Sequence, residues 1–270
     1  MSLPFVKMHG AGNDFVMIDG RDLADGPPLE RARIAALCDR RTGIGGDGLI
    51  IVGREPDGAV RMTYFNADGG EAEMCGNGAR CTVAFAHARG LLGTTGVLTT
   101  AAGPLEARVH GPGDIEVSLP PFRDLATDLV LDGAPAGWAG HHCNTGVPHL
   151  VIPVDDIDAV DPAAAGPPLR RHRRFAPSGV NVNWVAPGAG KDTWQLRTYE
   201  RGVEAETLAC GTGASAAAAV LVRLGRAASP VAIRTRGGDL LRIDVDLDRH
   251  RLRLRGPALV AFEGEVRRDE

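Results

Sequence analysis

One short pattern occurs twice in this 270-residue chain, and its two copies lie half a chain length apart. Cys75 in "EMCGNGAR" and Cys210 in "LACGTGAS" are each followed by a Gly-x-Gly-Ala run that opens a stretch of helical periodicity. The cysteines are 135 positions apart, from 75 to 210. A repeat at this spacing predicts two similar halves, each built around one cysteine and one helix.

The segments around the cysteines support this division. In each half, several short apolar runs bounded by glycine or proline predict strands, and the helix after the cysteine ends at a glycine. "PPFRDLATD", from Pro120, is a plausible boundary. The sequence therefore predicts an α+β fold with two halves, 1–120 carrying Cys75 and 121–258 carrying Cys210. We expect the two cysteine–helix units to face each other across a cleft.

Composition excludes several classes of partner. An aromatic content of 4% and a formal net charge of −4 argue against nucleic acid, and we interpret the basic run "RRHRR" from Arg170 as a solvated surface. The sequence contains no apolar stretch of about 20 residues, so we expect no membrane span. Five cysteines without a compact disulfide framework favour reduced thiols and a cytoplasmic protein.

A cysteine immediately before a helix has a distinctive chemical environment. Free backbone N–H groups and the positive end of the helix dipole favour the thiolate. The same N–H groups can hold a carboxylate, and glycine lets a ligand approach the backbone closely. Cys38 and Cys81 lack this setting, since each lies within a predicted helix and is expected to be buried.

Two further motifs suggest other functions but fit them poorly. Cys143 lies near His141, His142 and His149, but adjacent histidines in a strand point to opposite faces, so we predict no metal site. "GIGGDG", from Gly43, matches a dinucleotide fingerprint by letters alone. A helix is predicted before it and a strand after it, which is the reverse of the required order.

Polar residues cluster where predicted strands end or turn. They are Asn13, Asn66, Asn77, Asn181, Glu200 and Arg201. An arginine there can pair with a carboxylate, and a glutamate can accept from an ammonium, so together these residues would suit a zwitterion.

Two thiols on opposite sides of one carbon could invert a stereocentre. One, as thiolate, would remove the α-proton, and the other, as thiol, would deliver a proton to the opposite face. Helix-terminal N–H groups aimed at the carboxylate would stabilise the carbanion.

The motifs "KMHGAGNDF", "NADGGEAEMCGNGAR", "NTGVPH" and "YERGVEAETLACGTGASA" resemble those of the diaminopimelate epimerase family. The resemblance implies a cofactor-independent isomerase that interconverts LL- and meso-diaminopimelate in lysine and peptidoglycan precursor synthesis. It also implies a homodimer whose chain has two pseudo-symmetric halves, each a mixed or antiparallel sheet wrapped round a central helix. The C-terminal strand, about 259–270, would return to the first half.

The resemblance also assigns roles to residues. Cys75 and Cys210 match the catalytic pair, and His149, with Glu200, matches possible catalytic support. The implied substrate contacts are Asn13, Asn66, Gly76, Asn77, Asn181, Glu200, Arg201, Gly211 and Thr212, of which Gly76, Asn77, Gly211 and Thr212 would form the amide cradles.

The chain departs from the family pattern at two positions. Many members carry Gln where this chain has Gly48, and Asn where it has Val147. These departures affect the choice of substrate more than the type of reaction. Two alternative hypotheses stay open: a racemase for another amino acid, such as histidine or proline, and a non-catalytic binding protein of the same fold.

Overall fold

The structure, a computed structural model, describes residues 2–23, 29–72, 74–190 and 192–267 of the chain. The chain divides into two compact units. The first is Met1–Val117 with Gly256–Glu270, and the second is Ser118–Arg255. Four α-helices are present among the described residues: α1 (Arg31–Cys38), α2 (Gly76–Ala88), α3 (Pro162–Arg170) and α4 (Gly211–Arg223). The architecture is the predicted α+β fold, rich in strands and poor in helices.

The first unit contains β1 to β8 and the final strand. These are β1 (Ser2–Gly10), β2 (Asn13–Asp19), β3 (Gly48–Arg54), β4 (Val60–Asn66), β5 (Glu71–Ala72), β6 (Thr95–Thr100), β7 (Gly103–Gly111) and β8 (Asp114–Ser118). The second unit contains β9 (Arg123–Leu129), β10 (Gly140–Asn144), β11 (Pro148–Pro153), β12 (Asn181–Pro187), β13 (Thr193–Glu200), β14 (Ala205–Thr207), β15 (Val231–Arg234), β16 (Leu240–Asp246) and β17 (Arg251–Pro257). The chain ends with β18 (Leu259–Arg267), which pairs antiparallel with β1.

Strand pairing repeats between the units with an offset of nine strands. In the first unit β1–β2 is antiparallel, β2–β3 parallel, β3–β4 antiparallel and β4–β6 parallel. The second unit has the same order of pairings: antiparallel for β10–β11, parallel for β11–β12, antiparallel for β12–β13 and parallel for β13–β15. The repeat seen in the sequence is therefore also a repeat of topology.

The strands of each unit pack round one helix. In the first unit α2 packs against β1, β2, β3, β4 and β7, and in the second α4 packs against β10, β11, β12, β15 and β16. Eight consecutive residues of α4, from Ala214 to Leu221, are completely buried, and five of them are alanine. A helix that is enclosed on all sides must be apolar all round, and small side chains let the strands approach closely.

The other face of each sheet is also covered, which explains the nearly continuous apolar strands. In the first unit Val16, Ile18 and Leu49 pack with Ile34 and Leu37 of α1. In the second unit a core around Trp184 includes Leu169 of α3. Strands that are buried on both faces lose the alternation typical of half-exposed strands.

Sequence patterns missed some elements. The strand β9 forms part of the segment that we interpreted as a boundary, and β7 and helix α3 were not predicted. Helix α3 contains three prolines, and one of them, Pro162, is its first residue. The Asp161 carboxylate caps the helix by accepting from the N–H groups of Ala163 and Ala164. Proline is tolerated at that position because its missing N–H would have no partner inside the helix.

The basic run after α3 is only partly the solvated surface that was predicted. Arg171, Arg173 and Arg174 are exposed. Arg170 is half-buried, and its Nε donates to Glu204 Oε1 at 2.8 Å, so this arginine fastens α3 to the loop after β13. In the described part of the chain, no helix has the length and apolar character that crossing a membrane requires.

Candidate active site

Cys75 is the residue immediately before α2, and its backbone is extended, with φ −138° and ψ 118°. Its half-buried Sγ lies 3.4 Å from Asn13 Oδ1. Asn77, in the first turn of α2, donates from Nδ2 to the same oxygen at 3.3 Å. The structure thus brings three of the predicted residues together, and the Asn13 carbonyl oxygen is an acceptor for the thiol.

The orientation of the Asn13 amide follows from its other partner. Asn13 Nδ2 donates to Asp47 Oδ2 at 2.5 Å. An ionised carboxylate can only accept hydrogen bonds, so the NH₂ end of the amide must face Asp47. The carbonyl end therefore faces Cys75 and Asn77.

Asp47 is itself held by a group of charged residues behind Asn13. Arg40 bridges Asp14 Oδ1 at 2.7 Å and Asp47 Oδ1 at 2.8 Å, and buried Lys7 lies 2.7 Å from Asp14 Oδ2. Burial alone would raise the pKa of Asp14, but hydrogen bonds from Arg40 and Lys7 outweigh it and lower that pKa well below its ordinary value. Asp14 is thus ionised, and Arg40 holds both carboxylates in place.

Local sequence patterns do not reveal this charged group. Asp47 belongs to "GIGGDG", which matches a nucleotide loop by letters alone and lies after α1 and at the start of β3, in the order that excludes that role. The residues lie up to 40 positions apart, and only the parallel pairing of β2 with β3 brings them together. The adjacency of Asp14 to Asn13 was the one signal that local sequence offered.

Cys210 is the equivalent residue before α4, and only 6% of its surface is exposed. Its Sγ accepts from the N–H of Gly213 at 3.4 Å and lies 3.4 Å from the Thr212 hydroxyl. Thr145 donates from Oγ1 to the Thr212 carbonyl at 3.0 Å, which ties the start of α4 to the turn between β10 and β11. This sulfur therefore accepts a backbone N–H hydrogen bond at the helix start, a setting that stabilises negative charge.

Gly78 and Gly213 occupy the third position of α2 and α4. A Cβ atom on Gly78 would lie 2.9 Å from Ile50 Cδ1, and one on Gly213 would overlap Asn183 Oδ1 and lie 3.2 Å from Cys210 Sγ. The start of α2 therefore packs directly on Ile50 of β3, and the start of α4 packs on Asn183 of β12. The first N–H groups of each helix, at Gly76 and Asn77 and at Gly211 and Thr212, have no acceptor within the helix and form the candidate amide cradles.

The remaining predicted residues lie at strand ends. Asn66 ends β4 and is exposed, and Glu200 ends β13 and is half-buried. Asn181 begins β12, and its Oδ1 accepts from the N–H of Arg201 at 2.7 Å. The Arg201 guanidinium donates from Nη1 to the Ser178 carbonyl at 3.3 Å. In the second unit the structure thus brings Asn181 and Arg201 into direct contact.

His149, in β11, is completely buried and pairs in register with Asn181. Its pKa is lowered to about 3, chiefly by burial, with smaller effects of the neighbouring His142 and Arg201 in the same direction. The imidazole is therefore neutral at physiological pH, which excludes a resting imidazolium at this position.

The departure at Gly48 has a local explanation. A Cβ atom there would overlap the Phe65 carbonyl oxygen and lie 2.6 Å from Tyr64 Cε2. The Tyr64 ring, packed edge-on against Phe15 with centroids 5.9 Å apart, fills the space that a side chain at position 48 would need. Gly48 is therefore required by its neighbours in this chain.

The other three cysteines are buried, as predicted for Cys38 and Cys81. Burial raises the pKa of Cys38 to about 11 and the pKa values of Cys81 and Cys143 to about 12. These thiols are thus protonated at neutral pH. Among the residues that the structure describes, no three His, Cys, Asp or Glu side chains group in a way that could hold a metal ion.

The chain is similar to proteins of known function over nearly its whole length. The family model described as diaminopimelate epimerase matches residues 5–121 and 142–259. The diaminopimelate epimerase of Aquifex aeolicus is 42% identical over 98% of both chains. That of Gemmatimonas aurantiaca is 41% identical over 98% of this chain and 99% of its own.

Solved structures with low sequence identity share the fold. A Bacillus anthracis phenazine biosynthesis protein of the PhzF family superposes with a TM-score of 0.73 and 16% identity, covering 99% of each chain. A hydroxyproline epimerase from Agrobacterium vitis superposes with a TM-score of 0.71 and 13% identity, covering 100% of this chain and 93% of its own.

Proposed function

This chain belongs to the diaminopimelate epimerase family, and on that premise we propose that it interconverts LL- and meso-diaminopimelate by two-base proton transfer. The observation that carries the proposal is that each unit holds one cysteine at the start of its central helix. Such a pair can remove and replace one α-proton without a cofactor.

In the proposed reaction, one thiolate takes the α-proton, and the C–H electron pair remains on the α-carbon as a carbanion. The thiol of the other cysteine then gives its proton to the opposite face of that carbon. The carbon keeps its four bonds with inverted configuration, and the two cysteines have exchanged protonation states. The return reaction uses the same pair in the opposite roles.

The surroundings of the two sulfurs differ in a way that supports this division of labour. Cys75 faces an oxygen that can only accept, Asn13 Oδ1, whereas Cys210 Sγ accepts from the N–H of Gly213. An acceptor favours a thiol and donors favour a thiolate. We therefore propose that Cys210 is the thiolate and Cys75 the thiol before substrate binds.

The substrate is a zwitterion, and the proposed contacts match its charges. The N–H groups of Gly76, Asn77, Gly211 and Thr212 are assigned to the carboxylate at the reacting carbon, where negative charge grows. Arg201 is assigned to a carboxylate and Glu200 to an ammonium, with Asn13, Asn66 and Asn181 as hydrogen-bonding partners. His149 is assigned to support of the reaction.

The family relationship also supports a biological setting. We propose a cytoplasmic homodimer that acts in lysine and peptidoglycan precursor synthesis, with a small amino acid as its ligand. Among the described residues the five cysteines form no disulfide, which fits a reducing compartment.

The test is α-proton exchange in deuterated water. Purified protein incubated with LL- or meso-diaminopimelate should produce the other isomer with deuterium at the inverted carbon. A panel containing proline and histidine should exchange at least about a hundredfold more slowly, since a site that pairs a distal charge rejects ligands that lack it. Faster exchange into a simple amino acid would overturn the choice of substrate, and binding without exchange would overturn the activity.

A further inference from the structure

A chain of three buried polar side chains lies between β11, β12 and β13. Asn183 Nδ2 is 3.1 Å from His149 Nδ1, and Asn183 Oδ1 accepts from the Thr198 hydroxyl at 2.9 Å. His149 and Asn183 are completely buried, and Thr198 is 2% exposed. This hydrogen-bonded group also touches the candidate site. Asn183 Oδ1 packs on Gly213, and the Gly213 N–H donates to Cys210 Sγ.

The network fixes the orientation of the Asn183 amide. Its nitrogen faces two backbone carbonyl oxygens, that of Leu150 at 3.1 Å and that of Asn181 at 3.3 Å. Carbonyl oxygens only accept, so the NH₂ end must be on that side, and the Thr198 hydroxyl then donates to the carbonyl end. His149 Nδ1 faces this NH₂ group, which shares its two hydrogens among three acceptors and cannot itself accept, so Nδ1 presents its lone pair and the proton of the neutral ring is on Nε2.

The first unit shows that the fold does not need these polar groups. Its residues at the equivalent positions of β2, β3 and β4 are Phe15, Ile50 and Tyr64. Ile50 packs on Gly78 as Asn183 packs on Gly213. A buried polar network is harder to satisfy than an apolar core of the same shape, so its presence in one unit alone points to function.

We propose that Asn183 and Thr198 are positioning residues that hold His149 as a neutral, Nε2-protonated imidazole, which serves the reaction as a fixed N–H donor and not as a general base. His149 Nε2 is buried and makes no hydrogen bond to protein within the described part of the chain. A buried N–H without an acceptor is unfavourable, and an acceptor atom supplied by the bound amino acid would relieve this cost. This last step rests on the proposed function, whereas the tautomer does not.

Nitrogen NMR of the histidine-labelled protein tests the tautomer directly. Of the eight histidines, His149 is identified as the one whose signals disappear in His149→Phe, which copies Phe15 of the first unit. We expect Nδ1 to resonate as an unprotonated nitrogen and Nε2 as a protonated one, without change from about pH 8 to about pH 5. A proton on Nδ1, or a ring that titrates in this range, would overturn the proposal even if diaminopimelate were not the substrate.

A matched pair of variants tests the positioning role. Thr198→Val removes the hydroxyl that anchors Asn183, and Thr198→Ser keeps it. We expect Thr198→Val to mix the two tautomers of His149 and to lower kcat by about tenfold, the effect of one lost hydrogen bond, with KM less affected. Thr198→Ser should match the wild type in both measurements.

A third variant covers the case in which Thr198→Val fails to fold. Asn183→Ile copies Ile50 and removes the donor to Nδ1, so it should give the same mixed tautomers and a similar loss of kcat. Unchanged tautomer and kcat in either folded variant would overturn the positioning role. Addition of meso-diaminopimelate to the wild type should shift the Nε2–H signal, and a saturated complex without such a shift would overturn the donor role.

Discussion

The amide of Asn13 is held between Cys75 and Asp47: its Oδ1 lies 3.4 Å from the cysteine sulfur, and its Nδ2 donates to the Asp47 carboxylate at 2.5 Å. The carboxylate determines which end of the amide reaches the sulfur. Asp47 thus acts on Cys75 through another side chain, and Arg40 holds Asp47 in place in turn.

Asp47→Asn is the first prediction. The variant keeps the shape of the side chain but can present an NH₂ group to Asn13, which would allow the Asn13 amide to turn and offer a donor to Cys75. We expect kcat to fall by about tenfold to a hundredfold, because the thiol loses its acceptor. Asp246→Asn, which disturbs an exposed pair with Arg249 in the second unit, is the control and should keep full activity. Equal activities of the two variants would argue against the orienting role.

Removal of either reactive thiol should stop the reaction. Cys75→Ala and Cys210→Ala should each abolish epimerisation of both isomers, since each direction needs one base and one acid. Chiral chromatography of the products measures this loss. Cys38→Ala, at a buried thiol in α1, should keep its activity while losing about 1 kcal/mol of unfolding free energy. A single-site variant at position 75 or 210 with near-normal turnover would rule out the two-base mechanism.

Alkylation should distinguish Cys75 from the three buried cysteines outside the candidate site. Burial and pKa values raised to about 11 or 12 keep Cys38, Cys81 and Cys143 protonated and inaccessible in the folded protein. Half-buried Cys75 should therefore react with iodoacetamide well before these three, as followed by peptide mass spectrometry at neutral pH. Early labelling of any of the three buried thiols would contradict the packing described above.

Gly213→Ala should be harmful although alanine is normally the better helix residue by about 1 kcal/mol. The new Cβ would overlap Asn183 Oδ1 and crowd Cys210 Sγ, so we expect about 1–3 kcal/mol of destabilisation and a loss of turnover. Gly53→Ala in β3 is the control, because a Cβ there meets no atom within 4 Å. Denaturant unfolding of both variants measures the difference, and a stabilised Gly213→Ala would show that the helix start is looser than described.

His149 should make the protein sensitive to acid. Its pKa is lowered from 6.5 to about 3 because of burial first, with His142 and Arg201 adding to the effect. Above about pH 6.5 the ring is neutral in both folded and unfolded chains. As the pH falls from there towards 3, only the unfolded chain takes up the proton, so the free energy of unfolding decreases by up to a few kcal/mol.

His149→Phe should lack this contribution, so its stability should fall less steeply between about pH 6.5 and about pH 3. Urea unfolding at several pH values gives the comparison. Parallel curves for the two proteins would mean that His149 is not buried in its neutral form.

Local sequence determined the parts of this protein that depend on neighbours in the chain. The helix after Cys75, the helix after Cys210 and most strands follow from periodicity and from glycines at their ends, and the two cysteine motifs identified the family. These features need only a few consecutive residues. Even α3, which was missed, carried a local signal in Asp161 followed by Pro162.

Tertiary structure alone decided what surrounds the two sulfurs. Asp47 reaches Asn13 because β2 and β3 run parallel, Asn183 reaches His149 because β11 and β12 do, and Tyr64 fills the space beside Gly48 because of the register of β3 with β4. Strand register joins residues that are tens of positions apart, and no local pattern records it. The sequence by itself therefore specified two cysteines at helix starts, whereas packing determined which groups each thiol meets.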